Sequence, residues 1–498
     1  MLEAFLHLLT PTPFLVLFVG VFLGIIVGAL PGLTGGMTMA LVLPFTYYMQ
    51  NTNAVILLIG IFVGGVSGGL ITATLMRIPG EPSAVMTTLD GYPLAKRGQP
   101  GRAVGLGVAA SLVGGGFSWI ALVLLSPPLA RIGLMFGPWE TFALIVMALV
   151  LIASLSRGSM LKGLMAACLG MLVAMPGVDE SSGQLRLNFG FHALDAGLNL
   201  LPVIVGVFAL SQILVDMVDV ELRIDSVEAS VRGVFIRLRD YVVHGVNMVR
   251  SSLIGVAIGI MPGVGATVSS IVAYTVEKNL SKEPEKFGTG HEPGIIASEA
   301  ANNACTGGTL IPIISLGIPG GLADAVLLSA LMIHNLQPGP LLMVNSPHVV
   351  YAIMASHLVA HVLMFVIMTF GVVLFAKMMY VHRGYIFPFI LVAYIVGALA
   401  VNNRSFEIWV MLGFGLVGFF LEWAKVPLAT FAIGLVLAPM AEGQLRSGLM
   451  ASAGSIAPLY ERPLALTFML VALFMLFWPF AADRWRARRS AGGSASTA

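Results

Sequence analysis

The sequence predicts an all-α polytopic integral membrane protein of roughly eleven to thirteen transmembrane or re-entrant segments, with two inverted repeats and Pro-Gly-broken helical hairpins. Three observations predict it. Hydrophobic residues make up 58% of the chain and charged residues only 10%, against about 25% charged in a soluble domain. Apolar runs of about 20 residues, the length of one crossing, recur from end to end. Several of those runs are broken by the same Pro-Gly pattern, once in each half.

The elements follow in order. The start, "MLEAFLHLLTPTPF", has no Lys or Arg ahead of its apolar region and no small-residue cleavage site, so it reads as entry into the first span. Uninterrupted spans are expected at 14–30, 103–125, 139–156, 160–175, 199–217, 349–376, 385–401, 406–421 and 464–482. Segments 31–50, 54–76, 246–276 and 299–335 are apolar enough to enter the membrane but are interrupted by Gly and Pro. The first repeat therefore covers 1–217, with broken hairpins near 28–50 and 64–82. A cytoplasmic connector at 218–245 reads as an amphipathic helix or a solvated linker. The second repeat covers 246–482, with broken hairpins near 259–276 and 299–322, and 483–498 form a basic, disordered tail. Lys and Arg in short loops set the topology. Arg484, Arg486, Arg488 and Arg489 place the C-terminus in the cytoplasm, as Arg223, Arg232, Arg237, Arg239 and Arg250 place the connector. The loop 177–198 has Arg186 against Asp179, Glu180 and Asp195 and is placed outside.

The repeat is visible when four stretches are set side by side. The first half has "GALPGLTGGMTMALVLPFTYYM" from Gly28 and "GGVSGGLITATLMRIPGEPSA" from Gly64. The second has "GIMPGVGATVSSIVAYTVEK" from Gly259 and "NNACTGGTLIPIISLGIPGGLADA" from Asn302. Each half runs G-x-x-P-G, a small-residue tract, a Gly-Gly tract and I-P-G. In hydrocarbon, a broken helix survives only where protein or a water-filled cavity satisfies its free backbone groups. Half-helix N-termini carry roughly half a positive charge and free N–H donors, which suits an anion. Unwound carbonyls with Ser, Thr and Asn oxygens suit a small hard cation such as sodium.

The substrate candidates are Pro31, Gly32, Thr34, Gly35, Arg77, Pro79, Gly80, Pro262, Gly263, Gly265, Pro319 and Gly320. The cation candidates are Ser67, Thr72, Thr267, Asn302, Asn303, Thr306 and Gly307. Taken singly, each Gly or Thr reads first as close helix packing; the pairing of two tracts makes the set a site. Glu299 and Asp324 are candidate proton or cation carboxylates, with interfacial acids as the other reading. Arg77 could clamp a carboxylate in bidentate fashion or snorkel to the interface. His357 and His361 read as a polar helix face, and His334 and His348 add no metal-ligand arrangement. No transition metal or organic cofactor is expected. Cys168 and Cys305 read as packing residues.

Other classes find less support. A net charge of +2 implies no nucleic-acid partner. No H-E-x-x-H, G-x-S-x-G or paired catalytic aspartates point to a membrane enzyme, and no Walker A supplies direct ATP drive. A channel would be built by symmetry among subunits around a short filter.

At "GALPGLTGG", "DGYPLAKRGQPGRA", "MPGVGA", "YTVEKNLSKEPEKFGTG" and "SEAANNACTGGTLIPIISLGIPG" the sequence resembles TctA, the large permease subunit of the tripartite tricarboxylate transporter family. The resemblance covers nearly the whole chain. It implies a cation-coupled secondary importer of di- or tricarboxylates in a bacterial inner membrane, with sodium as coupling ion and a moving transport domain of the elevator type. It also implies a small TctB-like membrane subunit and a periplasmic TctC-like solute-binding protein; a homo-oligomer is a further expectation. One departure lies in "MRIPGEPSA", where Arg77 and Glu81 stand in place of the family's Asn and Thr. That extra cation and acid leave open a non-citrate organic anion, and Glu299 and Asp324 leave open protons instead of sodium.

Overall fold

The computed structural model describes residues 1–30, 33–155, 159–179, 183–218, 227–230, 232–378, 388, 391–392, 394–396, 398–399 and 404–477. Pro31 and Gly32, most of the expected span 385–401, much of the connector and the basic tail lie outside the described residues. Within the described residues the chain is helical, apart from one ribbon pairing Gly177–Val178 with Leu185–Arg186. Among the described residues, seven helices are long and apolar enough to cross a membrane, and six shorter apolar ones accompany them. The protein is a multi-pass membrane protein.

Contacts divide the chain into two compact units that do not coincide with the sequence halves. The larger takes Met1–Leu134 and Leu198–Ala424, and the smaller takes Met135–Gly197 and the chain from Lys425.

The larger unit begins with α1 (Leu2–Leu8), α2 (Pro11–Gly28), α3 (Gly35–Thr46) and α4 (Asn51–Met76). It continues with α5 (Thr87–Lys96) and α6 (Pro100–Leu134). Gly20, Gly24 and Gly28 of α2 recur every fourth residue and meet Gly60, Gly64 and Gly68 of α4. A Cβ on Gly24 would lie 2.5 Å from the Ile61 carbonyl oxygen and 2.8 Å from the Gly65 nitrogen, so the backbones touch. The expected interruption within 54–76 is therefore displaced: "GGVSGGL" is a packing face, and α4 runs unbroken from Asn51 to Met76. It stops at Arg77, which takes a left-handed conformation with φ 59°.

Residue numbers rise together along the α2–α4 contact, so the two helices are parallel. α3 returns alongside α4: Gly35 at its start packs on Gly65, and Thr46 at its end lies near the start of α4, where both Thr46 and Asn51 bond His334. The chain thus enters along α2, comes back along α3 and then crosses along α4.

Further helices in this unit are α9 (Leu200–Ile204) and α10 (Ser211–Val218), joined by a π-helical turn at Val205–Leu210. Then come α11 (Leu238–Ile260), α12 (Gly265–Leu280), α13 (Glu292–Leu316), α14 (Leu322–Ile333), α15 (Pro340–Asn345), α16 (Pro347–Met378) and α17 (Ser405–Trp423). The pattern repeats here. α11 begins at Leu238, earlier than the expected 246, and breaks at 261–264, where Gly263 (φ 80°) and Gly265 (φ 70°) allow a turn that L side chains resist. Gly255 and Gly259 of α11 pack on Ala301, Cys305 and Gly308 of α13 in parallel register. α13 is also unbroken, from Glu292 to Leu316, and ends at left-handed Gly317 (φ 72°). Here too the break falls at I-P-G, while the Asn-Asn and Gly-Gly tract stays helical.

α6 links the two patterns. Arg102, Ser111 and Ser118 on α6 meet Glu292, Asn303 and Gly307 on α13, so these helices run in the same direction. α4 runs against both: Gly107 meets Leu70 while Ser111, further along α6, shares Asn303 with Ser67. Asp90 on α5 fastens the second half to the first. Its Oδ1 accepts the N–H groups of Gly288 (2.9 Å), Gly290 (2.9 Å) and His291 (2.7 Å), and its Oδ2 accepts the Tyr274 hydroxyl at 2.8 Å. Thus "DGYPLAKRGQPGRA" and "YTVEKNLSKEPEKFGTG" meet at one buried carboxylate.

The smaller unit holds α7 (Pro138–Leu155), α8 (Met160–Val173), the ribbon, α18 (Leu428–Ala451), α19 (Pro458–Glu461) and α20 (Pro463–Phe477). Gly170 and Gly434 bring α8 and α18 into backbone contact. Arg186 makes a two-point ion pair with Glu442 (2.5 and 2.7 Å), and Arg446 bridges Asp179 and Glu442, both at 2.7 Å. All described candidate residues lie in the larger unit.

Candidate functional site

Two groups of polar side chains emerge, the first partly and the second fully buried. The first surrounds the N-terminus of α3. Thr34 is its N-cap, its hydroxyl accepting the Met37 N–H at 3.2 Å. Glu81 reaches across from the I-P-G turn and accepts the Gly35 N–H at 2.9 Å. Glu81 therefore places a carboxyl group at a helix N-terminus, where negative charge is favoured. Gly80 packs on Gly28 and within 2.5 Å of the Thr72 hydroxyl, were it to carry a Cβ. Gly36 abuts Leu322 and Ala323, so the first turns of α3 and α14 meet. At the start of α14, Asp324 sits against Gly320, Gly321 and Thr309; it is 3% exposed and its Oδ1 has no partner. Thr34, Gly35, Thr72, Gly80, Gly320 and Asp324 are thus drawn toward one region, with Pro79 and Pro319 in its turns.

The second group lines α13, which is buried from Gly294 to Ser315. Glu299 accepts the Thr87 hydroxyl at 2.5 Å and faces Ser111 at 3.5 Å. Asn303 donates to the Ser111 hydroxyl at 2.7 Å and accepts from Ser67 at 2.7 Å. Asn302 donates at 3.5 Å to the Val66 carbonyl, and its Oδ1 is buried without a partner. Thr306 donates to the Asn303 carbonyl at 2.7 Å and lies 3.1 Å from His357 Nε2. Ser67, Glu299, Asn302, Asn303 and Thr306 therefore come together as expected cation candidates. Gly307 instead makes room for Ser118.

Other candidates stand apart. Pro262, Gly263, Gly265 and Thr267 form the α11–α12 turn and its first helical turn, where a Cβ on Gly265 would meet nothing within 4 Å. Arg77 is exposed at the end of α4 and makes no described contact with the buried groups.

Sequence reading missed Thr87, Ser111 and Glu81 as site residues and read His357 and His361 as a polar face. Both histidines are 0% exposed. Two titratable residues one helical turn apart in a long apolar run were the available signal. Thr87 and Ser111 carried none, because a lone hydroxyl in an apolar run fits packing equally well.

Burial sets the electrostatics. Glu81, Glu299 and Asp324 make no ion pair with a basic side chain among the described residues, and their contacts are hydroxyls, amides and backbone N–H groups. Each buried polar atom left without a partner costs about 1–3 kcal/mol, and Asn302 Oδ1 and Asp324 Oδ1 are two such atoms. Oxygen donors of this kind, neutral amide and carboxylate together, suit a hard cation better than a transition metal. No cluster of three His, Cys, Asp or Glu side chains forms a metal site among the described residues.

Comparison with known proteins converges on one family. The profile of the tripartite tricarboxylate transporter TctA family matches residues 14–433. A 52.8 kDa protein of the TAR-I ttuC' 3' region of Agrobacterium vitis is 34% identical over 465 residues, covering 93% of this chain and 92% of that protein. A protein of the TAR-II ttuC' 3' region of the same organism is 30% identical over 219 residues, 44% of this chain and 90% of its own length. No solved structure matches.

Proposed function

We propose, from the premise that this chain belongs to the tripartite tricarboxylate transporter TctA family, that it imports di- or tricarboxylates in symport with sodium. Membership makes the chain the large membrane subunit of a tripartite transporter, a transport component and not an enzyme. The rest is our reading. The substrate arrives from a periplasmic solute-binding protein, and a small membrane subunit completes the complex in the bacterial inner membrane. The two halves are copies of one unit in opposite orientation, a reading supported by the opposed directions of α4 and α13.

One observation carries the coupling: two buried carboxyl groups, Glu299 and Asp324, and the partly buried Glu81 make no ion pair with a basic side chain among the described residues. A multiply charged anion cannot approach uncompensated carboxylates in a low dielectric. A cation must therefore accompany it. Sodium would take Asn302 Oδ1 and neighbouring oxygens of the α13 face. The substrate would lie toward the first turns of α3 and α14, where backbone N–H groups are gathered.

The test is uptake of labelled di- and tricarboxylates by proteoliposomes containing this chain and its small partner. Uptake should require the binding protein and rise with an inward sodium gradient. Uptake that is indifferent to sodium would end the sodium assignment, and no carboxylate uptake at all would end the substrate class.

A further inference from the structure

The histidine pair on α16 is unused by that reading, and its hydrogen bonds fix where its protons sit. His361 Nδ1 lies 2.9 Å from the His357 carbonyl oxygen, which only accepts, so Nδ1 carries the hydrogen. The Thr306 hydroxyl spends its hydrogen on the Asn303 carbonyl, so at 3.1 Å it accepts from His357 Nε2. Each neutral ring is left with one basic nitrogen, His357 Nδ1 and His361 Nε2, and both are buried with no partner. The rings lie 4.6 Å apart between centroids. Gly115 of α6 abuts the His361 ring so closely that any side chain there would collide with it. The fold clears space for an imidazole whose free nitrogen it leaves unsatisfied.

We propose that His357 and His361 form a proton-loading site that carries a coupling proton alongside the sodium ion. The inference rests on the transporter reading above. One proton is loaded per cycle, because two imidazolium charges at this separation repel strongly in a low dielectric. His357 Nδ1 or His361 Nε2 takes it, and no bond other than N–H is made or broken. Among the described residues, α16 carries no other titratable side chain at the depth of the pair. α2, α4 and α15 carry no titratable side chain. On α6, Arg102 is engaged with Glu292 and Asp240, and Arg131 lies sixteen residues past Gly115, about 24 Å along the helix. Glu3 and His7 of α1, with His348 and Tyr351 of α16, line a cavity at the N-terminal end of α16, Tyr351 lying six residues before His357. Lys377 lies at its far end. α13 contributes Cys305 beside Thr306, and Glu299, whose backbone carbonyl accepts from Asn303 at 3.3 Å while its carboxyl group faces Thr87 and Ser111.

The decisive experiment uses full-length chain reconstituted with its small partner, sodium equal on both sides and the membrane potential clamped at zero. An inward gradient of one pH unit should then support up to about tenfold accumulation of carboxylate for one coupled proton, with acidification of an internal pH dye. His357→Gln and His361→Gln should each remove that accumulation and the acidification. Wild-type uptake without either response would overturn the proposal, as would variants that retain both. If wild-type protein moves no carboxylate, the transporter reading fails, and a second measurement decides the pair by itself. In selectively 15N-histidine-labelled protein, pH-dependent loading of a proton on these two rings supports the site, and rings that stay neutral throughout dismiss it.

Discussion

The two broken hairpins share a path but differ at nearly every equivalent position. The turn into α3 is closed by Thr34 and by the Glu81 carboxylate, whereas the turn into α12 has no side-chain cap and faces open space at Gly265. At the I-P-G turns, two residues before the proline, the first half holds Arg77 in the left-handed conformation where the second holds Gly317. α4 offers hydroxyls alone, Ser67 bonding both its own turn and Asn303 and Thr72 its own turn, while α13 adds an acid and two amides to its hydroxyls. Repetition supplies the backbone path, and the chemistry is placed unequally upon it.

The comparison can be broken most severely at the helix contact. Gly64→Val puts side-chain atoms into the Val21 carbonyl and should cost about 3 kcal/mol or more, read as loss of monodispersity and a large fall in Tm in detergent. Gly265→Ala, in the open turn of the other half, should cost only the left-handed strain. Second in size is Glu81→Ala, which removes the acceptor of the Gly35 N–H, leaves Thr34 as the α3 cap, and should cost about 1–2 kcal/mol in thermal unfolding. Smallest is Arg77→Gly, which makes the end of α4 resemble that of α13 and should raise stability by about 1 kcal/mol. A fall in Tm for that variant would mean that Arg77 makes a stabilising contact at the end of α4.

Composition and apolar run length made the membrane class legible, and the Pro-Gly motifs marked where α11 and α12 part. The glycine tracts misled, because in a membrane the same spacing that weakens a helix also lets another helix touch it. Gly60, Gly64 and Gly68 do the second. Ser67, Asn302, Asn303 and Thr306 were legible as a group because they stand in paired tracts. Glu81 was visible only as a departure, since its role depends on a turn folding back 46 residues to the Gly35 N–H. His357 and His361 were visible as a helical pair, but their burial depends on α6 and α13, which periodicity cannot supply.

The central claim is that the polar face of α13 holds the coupling cation. The most direct measurement is the sodium dependence of carboxylate uptake by Asn302→Ala, whose unpartnered Oδ1 is the oxygen assigned to the ion. The account predicts a folded protein whose apparent sodium affinity falls about tenfold or more. Unchanged sodium dependence in a fully active variant would contradict it.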